Sequence, residues 1–259
     1  FSAITPMGRQ HENDREATAA DLKWLADPAE EPEPFGDGGT KMAWNTFNVV
    51  SIYPNGNPVM SDVNQRWVGD CCACAVIASM AYLYPRFVKH IIKDNMDKTY
   101  TVTMYDPKGK QISVGVGGDY FIGNSGDLGA LGGRNKEVTW ATILEKAMIK
   151  WNQIYQGSSN VGGIGTEYVS AIFTGDGESV GFGANALIAE DLQRAVEVSL
   201  KQGRLVIGGF TRSGEQVDQN WQTTSGHAFT FILPDDNTHL FKMRNPWGGT
   251  TCLLYTSPS

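Results

Sequence analysis

The hydrophobic pattern divides this chain into a few helical stretches and a set of short strands. Residues 71–84, CCACAVIASMAYLY, contain no Gly or Pro and stop just before Pro85. Cys72, Ala75, Val76, Ser79, Met80 and Leu83 recur there at helical spacing, while Cys71, Cys74 and Ala78 make a second face of small residues. A segment apolar on most faces predicts a buried central helix. Residues 139–155, TWATILEKAMIKWNQIY, predict an amphipathic helix with Thr139 as its N-cap, and 189–203, AEDLQRAVEVSLKQG, a further helix ended by Gly203. A short helix is expected near 18–26. YTVTMYD and KQISVGV flank Pro107-Lys108-Gly109 and predict a hairpin over 100–116. RLVIGGF, HAFTFIL and HLFKMRN are later strand candidates, the last two separated by the turn cluster Pro-Asp-Asp-Asn-Thr. Residues 115–133 and 157–185 are Gly-rich and read as loops; Gly126, Gly129 and Gly132 lack the strand-then-helix setting of a dinucleotide site.

Helices early and strands late predict an α+β protein of two unequal parts. The expected units are a polar segment and linker over 1–40, a Cys-bearing helical lobe over 41–178, and a His/Asn-bearing β-rich lobe over 179–250. Within the first unit, AEEPEPFGDGG at 29–39 reads as the linker. The stretch 251–259 follows abruptly and reads as translated cloning sequence, so it and its Cys252 are set aside; Phe1 in place of Met reads as a fragment or a processed start.

Charge and composition narrow the options. A net charge of -7 argues against a nucleic-acid partner. No apolar run approaches the ~20 residues of a membrane helix, and a soluble protein, cytoplasmic or secreted, is expected. Three cysteines within four positions, Cys71, Cys72 and Cys74, are no disulfide framework. They also lack the two separated ligand pairs of a zinc site, so no metal site is assigned. Nothing in the sequence assigns an oligomeric state.

Cys71 opens the predicted central helix. Unpaired N–H groups and the positive end of the helix dipole favour the thiolate there. Folding the 227–245 hairpin about its turn sets His227 opposite residue 244 or 245, within roughly 5 Å across the ladder. An Asn245 carbonyl holding one imidazole nitrogen would leave the other to take a thiol proton. Cys72 falls on the apolar stripe and reads as core. Cys74, one turn from Cys71, reads as core or as a redox partner. His11, His90 and His239 show no partner pattern.

The ordered set of Gln65 six residues before Cys71 in Gly-Asp-Cys, Gly226-His227-Ala228, and Arg244-Asn245-Pro-Trp247-Gly closely resembles the calpain-type, papain-like cysteine proteases. TWATILEKAMIKWNQIY and Phe-Thr-Gly-Asp-Gly at 173–177 are similar to family segments between the Cys and the His, and the resemblance covers about 41–249. It implies a two-lobe core with a cleft and an endopeptidase acting on protein or peptide substrates. Cys71 would be the nucleophile, His227 the base and Asn245 its orienter, with an acyl-enzyme intermediate. It further implies Gln65 in the oxyanion hole, Trp247 shielding the His–Asn pair, and Gly226 and the Gly175–Gly177 loop leaving room for a substrate backbone. No cofactor is required by the resemblance, but calcium stays open: Glu167 and Asp176 fall near a family calcium loop and read equally as solvated loop acids. The chain departs from the family at Gln65-Arg66, where Gln-Gly is usual, and at Cys71-Cys72, where Cys-Trp is usual. A peptide-binding module without turnover and an acyl transferase with the same triad are the alternative functions.

Overall fold

The computed structural model describes residues 4–7, 14–35, 42–175, 177–181, 183, 187–210, 213–214, 222, 224–235 and 239–254. In chain order the elements are β1 (Ile4–Met7), α1 (Ala19–Ala26), β2 (Ala43–Thr46), a 3-10 turn (Met60–Asp62), α2 (Cys71–Leu83), α3 (Pro85–Ile91), β3 (Ile92–Asp94), β4 (Tyr100–Tyr105) and β5 (Gln111–Val116). There follow β6 (Asp119–Ile122), α4 (Trp140–Tyr155), α5 (Thr166–Thr174), β7 (Gly177–Val180), α6 (Ala189–Lys201), β8 (Ile207–Gly209), β9 (Ala228–Ile232), β10 (His239–Arg244) and β11 (Thr250–Leu254).

Local chemistry accounts for the boundaries. Thr18 and Asp21 cap α1 reciprocally, at 3.1 and 2.8 Å. Pro85 has no N–H with which to continue α2 and instead opens α3, a bend of 113°. The β4–β5 hairpin alternates, with Val102 and Met104 buried across from Val114 and Ile112. β3, β4 and β5 form one antiparallel sheet, and β8, β9, β10 and β11 another.

Two main buried clusters result. The larger gathers residues from Leu25 to Phe173, including Ile77, Tyr120, Phe121, Trp140 and Trp151. The smaller joins Val196 and Leu200 of α6 to Phe229, Phe241 and Met243 of the later sheet, with Tyr82 and Leu83 at the end of α2 packed on it. α2 therefore lies between the two clusters and packs on β9, where Thr230 Oγ1 donates to Ala75 O at 2.7 Å. The architecture is α+β, in keeping with a two-lobe papain-like core.

The stretch 115–133, read as a loop, contains β6 paired with β2, and the structure departs from the sequence reading in four further places in the fold. The Gly-rich stretch 157–185 holds a helix, α5, whose Val169, Ile172 and Phe173 are buried; Gly165 at its start and Gly175, with φ of 70°, at its end are the signals that mark it. α4 is buried nearly all round, and Glu145, Lys146 and Lys150 on its polar side face inward. Glu145 meets Asp70 and accepts from Leu131 N, and the two lysines are covered by the N-terminal segment from Trp24 to Glu31. Lys150 Nζ donates to Asp27 O and Gly115 O at 2.8 Å each and sits over the Trp24 ring, while Lys146 pairs with Glu31 at 2.6 Å. Burial pulls Lys150 down to about 8. Third, the stretch set aside as cloning sequence pairs with the fold as far as Leu254, because β11 lies antiparallel on β10 with Arg244 opposite Thr250. Fourth, the β9–β10 register differs from the hairpin count and bears on the site.

Candidate active site

Cys71 is the first residue of α2 and is 8% exposed. Its backbone N–H belongs to the first helical turn, whose donors have no intrahelical partner. The sulfur faces the start of β9: Sγ lies 3.8 Å from Gly226 O and packs against Ala228. Gly226 has φ of 71°, a left-handed conformation that favours Gly, and a Cβ there would point into open space. This brings His227 beside Cys71, close enough for each to shift the titration of the other.

His227 Nε2 meets Asn245 Oδ1 at 2.8 Å, which leaves Nδ1 as the ring nitrogen for the sulfur. Asn245 Oδ1 also accepts from the Trp247 backbone N–H at 3.1 Å. Two donors thus fix the carboxamide, with its oxygen toward the ring. The Trp247 indole stacks on the imidazole, centroids 4.3 Å apart at 30°, and is itself 56% exposed. It covers one face of the His–Asn hydrogen bond while His227 and Asn245 stay buried.

The observed strand register differs from the one that counting about the turn predicts. The ladder sets Arg244 opposite Thr230 and Met243 opposite Phe231; continued, it would oppose Asn245 to residue 229. His227 lies one residue before β9, and Asn245 one residue after β10, so neither is held by the ladder. Asn245 instead opens a tight turn, in which Gly248 N donates to Asn245 O at 3.0 Å and Asn245 N to Gly249 O at 3.1 Å. The pair meets diagonally, beyond the ends of both strands.

The two sides of the site are tied at 63–65. Gln65 N donates to Pro246 O at 2.8 Å, and the buried Arg244 guanidinium donates to Val63 O and lies 3.4 Å from Asn64 Oδ1. The Gln65 carboxamide donates to Val68 O at 2.9 Å through one N–H, leaving its second for a ligand. Gln65, Arg66, Trp67, Asp127 and Lys136 line a cavity of about 410 Å³. Arg66, absent from the family pattern, donates to Gly133 O.

The electrostatics favour an ion pair. A hydrogen bond from Cys72 pulls the Cys71 thiol down most; burial opposes it, and the His227 ring, the Ala228 N–H and the His227 charge help bring it to about 4. Burial pulls His227 down, but its hydrogen bonds to Cys71 and Asn245 and the Cys71 charge together raise it above its ordinary 6.5. Cys72 is driven up by donating a hydrogen bond to Cys71 and by burial, and so keeps its proton. It is half-buried, so the core reading of Cys72 is corrected: its thiol belongs to the site. Adjacency to Cys71 was the available signal.

Beneath Cys71, Asp70 and Glu145 are both buried carboxyls held above their usual range by burial; the Asp70 charge raises Glu145 further, whereas the hydrogen bond with Glu145 works against the rise at Asp70. Sequence reasoning singled out neither. Other expected residues fall elsewhere. A Cβ at Gly175 would strike the Tyr105 ring at 2.8 Å, so this glycine serves packing and the end of α5 rather than a substrate. Glu167 sits in the first turn of α5, accepting from Thr166 Oγ1 at 3.3 Å, and Asp176 lies outside the described residues. No group of three or more His, Cys, Asp or Glu side chains that could hold a metal ion occurs among the described residues. No single helix among them is long and apolar enough to cross a membrane.

A protein-family model described as calpain family cysteine protease matches residues 44–252. Among curated proteins none matches the sequence.

Proposed function

The chain belongs to the calpain family of cysteine proteases, and from that premise we propose that Cys71, His227 and Asn245 carry out its cleavage of protein and peptide substrates. What supports the assignment is one row of side chains, with the Cys71 thiol on His227 and His227 Nε2 on Asn245 Oδ1 at 2.8 Å. The Cys71 thiolate attacks the scissile carbonyl. The developing oxyanion takes the Cys71 N–H and the remaining N–H of the Gln65 carboxamide, donors whose individual loss typically costs about 10²–10³ in rate. His227 gives its proton to the departing amine, and water then hydrolyses the acyl-enzyme with His227 as base. Asn245 holds the ring so that Nδ1 stays on the sulfur. Trp247 keeps water from that hydrogen bond. The cleft then runs between a lobe spanning 41–178 and one spanning 179–250, a division supported by the two buried clusters.

Iodoacetamide tests the assignment. At near-neutral pH it should alkylate Cys71 ahead of Cys72 and Cys74, with loss of casein cleavage tracking label at Cys71, because the thiolate is the nucleophile. Equal labelling of the three thiols in the native protein, or cleavage that survives full Cys71 labelling, would contradict it.

The ion pair also sets the pH profile. Below about 4 the Cys71 thiolate is protonated, so kcat/KM falls as pH drops through that value. Above the raised value of His227 the imidazolium loses its proton, and kcat/KM falls again. The expected profile is a bell whose limbs report the coupled pair. A single limb near 9, the ordinary thiol value, would show that no ion pair forms.

A further inference from the structure

Cys71 and Cys74 stand three residues apart in the first turn of α2, a Cys-x-x-Cys pair at a helix N-terminus. Residues so spaced share a helix face. Their Cα atoms lie about 5 Å apart, inside the span of roughly 4.4–6.8 Å that a disulfide bridges. All three thiols of the segment are free. The pair is asymmetric. Cys71 reaches the surface beside His227, whereas Cys74 is 0% exposed and its Sγ donates to Asp70 Oδ1 at 3.4 Å. Asp70 is equally buried, and its Oδ2 has no donor other than the facing Glu145 carboxyl. One proton shared between the two carboxyls satisfies both oxygens and leaves Asp70 able to take a second. The charged and titratable neighbours of Cys74 are thus Asp70, Glu145 from α4, Cys71, and Arg244 at the end of β10.

We propose that Cys71 and Cys74 are a reversible oxidation site, at which a hydroperoxide converts the nucleophile into an internal disulfide and switches the peptidase off. The Cys71 thiolate attacks a peroxide oxygen and the O–O bond breaks. Cys71 becomes a sulfenic acid, and the other oxygen leaves as water or an alcohol after taking a proton. Cys74 passes its proton to Asp70 and attacks the Cys71 sulfur. The S–O bond breaks, and the hydroxide released collects that proton as water. The two sulfurs lose two electrons and the peroxide gains them. An external dithiol reverses the reaction by exchange. The disulfide keeps Cys71 from the irreversible sulfinic and sulfonic states. Cys72 also touches the Cys71 sulfur and is the rival resolving thiol, but unlike Cys74 it has no carboxylate hydrogen-bonded to its sulfur to take the proton.

The consequence for activity rests on Cys71 being the nucleophile; the bond itself does not, so two readouts separate them. Reduced wild-type protein is treated with excess hydrogen peroxide, quenched, and alkylated with iodoacetamide before peptide mass analysis. The 67–86 peptide should lose two hydrogens and carry its alkyl group on Cys72, and casein cleavage should fall about tenfold or more and return with dithiothreitol. The Cys74→Ala variant should form no such bond and should lose activity that dithiothreitol does not restore. If that variant fails to fold, the position of the alkyl group in the wild type still decides. Alkylation of Cys74 instead of Cys72 would identify a Cys71–Cys72 bond and overturn the proposal, as would three alkylated thiols. A Cys71–Cys74 bond with unchanged cleavage would confirm the oxidation site and overturn the nucleophile assignment instead.

Discussion

Cys71→Ala is expected to lower kcat for a denatured protein substrate by roughly 10⁶-fold, leaving only what binding and the oxyanion donors supply. Neither neighbouring thiol can take its place. Cys74 is 0% exposed and hydrogen-bonded to Asp70, and Cys72 is held in its protonated form by donating a hydrogen bond to Cys71. The fold should survive, since the change removes one small, nearly buried group at the helix start. A second readout confirms that the right pair has been broken. Two of the three influences that raise His227, the Cys71 hydrogen bond and the Cys71 charge, disappear with the sulfur, while burial still pulls the ring down. The imidazole should therefore titrate at lower pH in the variant than in the parent, as followed by NMR of the ring protons. Unchanged turnover would remove Cys71 from the chemistry, and an unmoved His227 would show that the two never shared a proton.

Trp140→Ala is expected to cost about 3–5 kcal/mol of stability, which at this chain length lowers Tm by about 6–20 °C. Trp140 is 0% exposed in the larger core. Its indole N–H donates to Asp62 Oδ2 at 2.7 Å, and the Thr139 hydroxyl donates to Asp62 O at 3.0 Å. The same carboxylate accepts from Asn55 at 2.8 Å and from Val59 N at 3.1 Å. The start of α4 thereby fixes the 3-10 turn that leads directly into Val63, Asn64 and Gln65. Loss of the ring empties a core position and takes one donor from a buried carboxylate. Activity at low temperature should fall as well, because Gln65 is positioned through that turn. A Tm within 2 °C of the parent would refute the argument.

The segments that carry the chemistry were legible because their signals are local. A helix that begins at Cys71 and ends at Pro85 can be read from composition and punctuation alone, and so can the capped start of α4 at Thr139. The meeting of His227 with Asn245 was anticipated but not its geometry. Counting residues about a turn presumes that pairing continues to the strand ends, whereas the turn at 245–249 leaves the ladder early. α5 was hidden by its flanking glycines, which were taken as loop composition although they bound a short apolar repeat. The inward-facing Lys146 and Lys150 illustrate a different limit. Helical periodicity shows that one face is polar, but only the chain laid over that face decides whether it meets water. Cys72 was read from its helical stripe, when its nearest consequence lay in the next residue's sulfur.

Lys146 and Lys150 have a bearing on what counts as the folding unit. Their ammonium groups are lodged in the interior, and some of the oxygens that receive them belong to Asp27 and Glu31, upstream of the first strand of the core. A chain trimmed to residue 44 onward would uncover that face: both cations would meet water and keep only the Gly115 and Asp119 carbonyls, and α4 would lose the segment packed over its polar side. The catalytic machinery thus depends for its solidity on a stretch that contributes nothing to the chemistry, and the smallest active fragment extends back to at least residue 27.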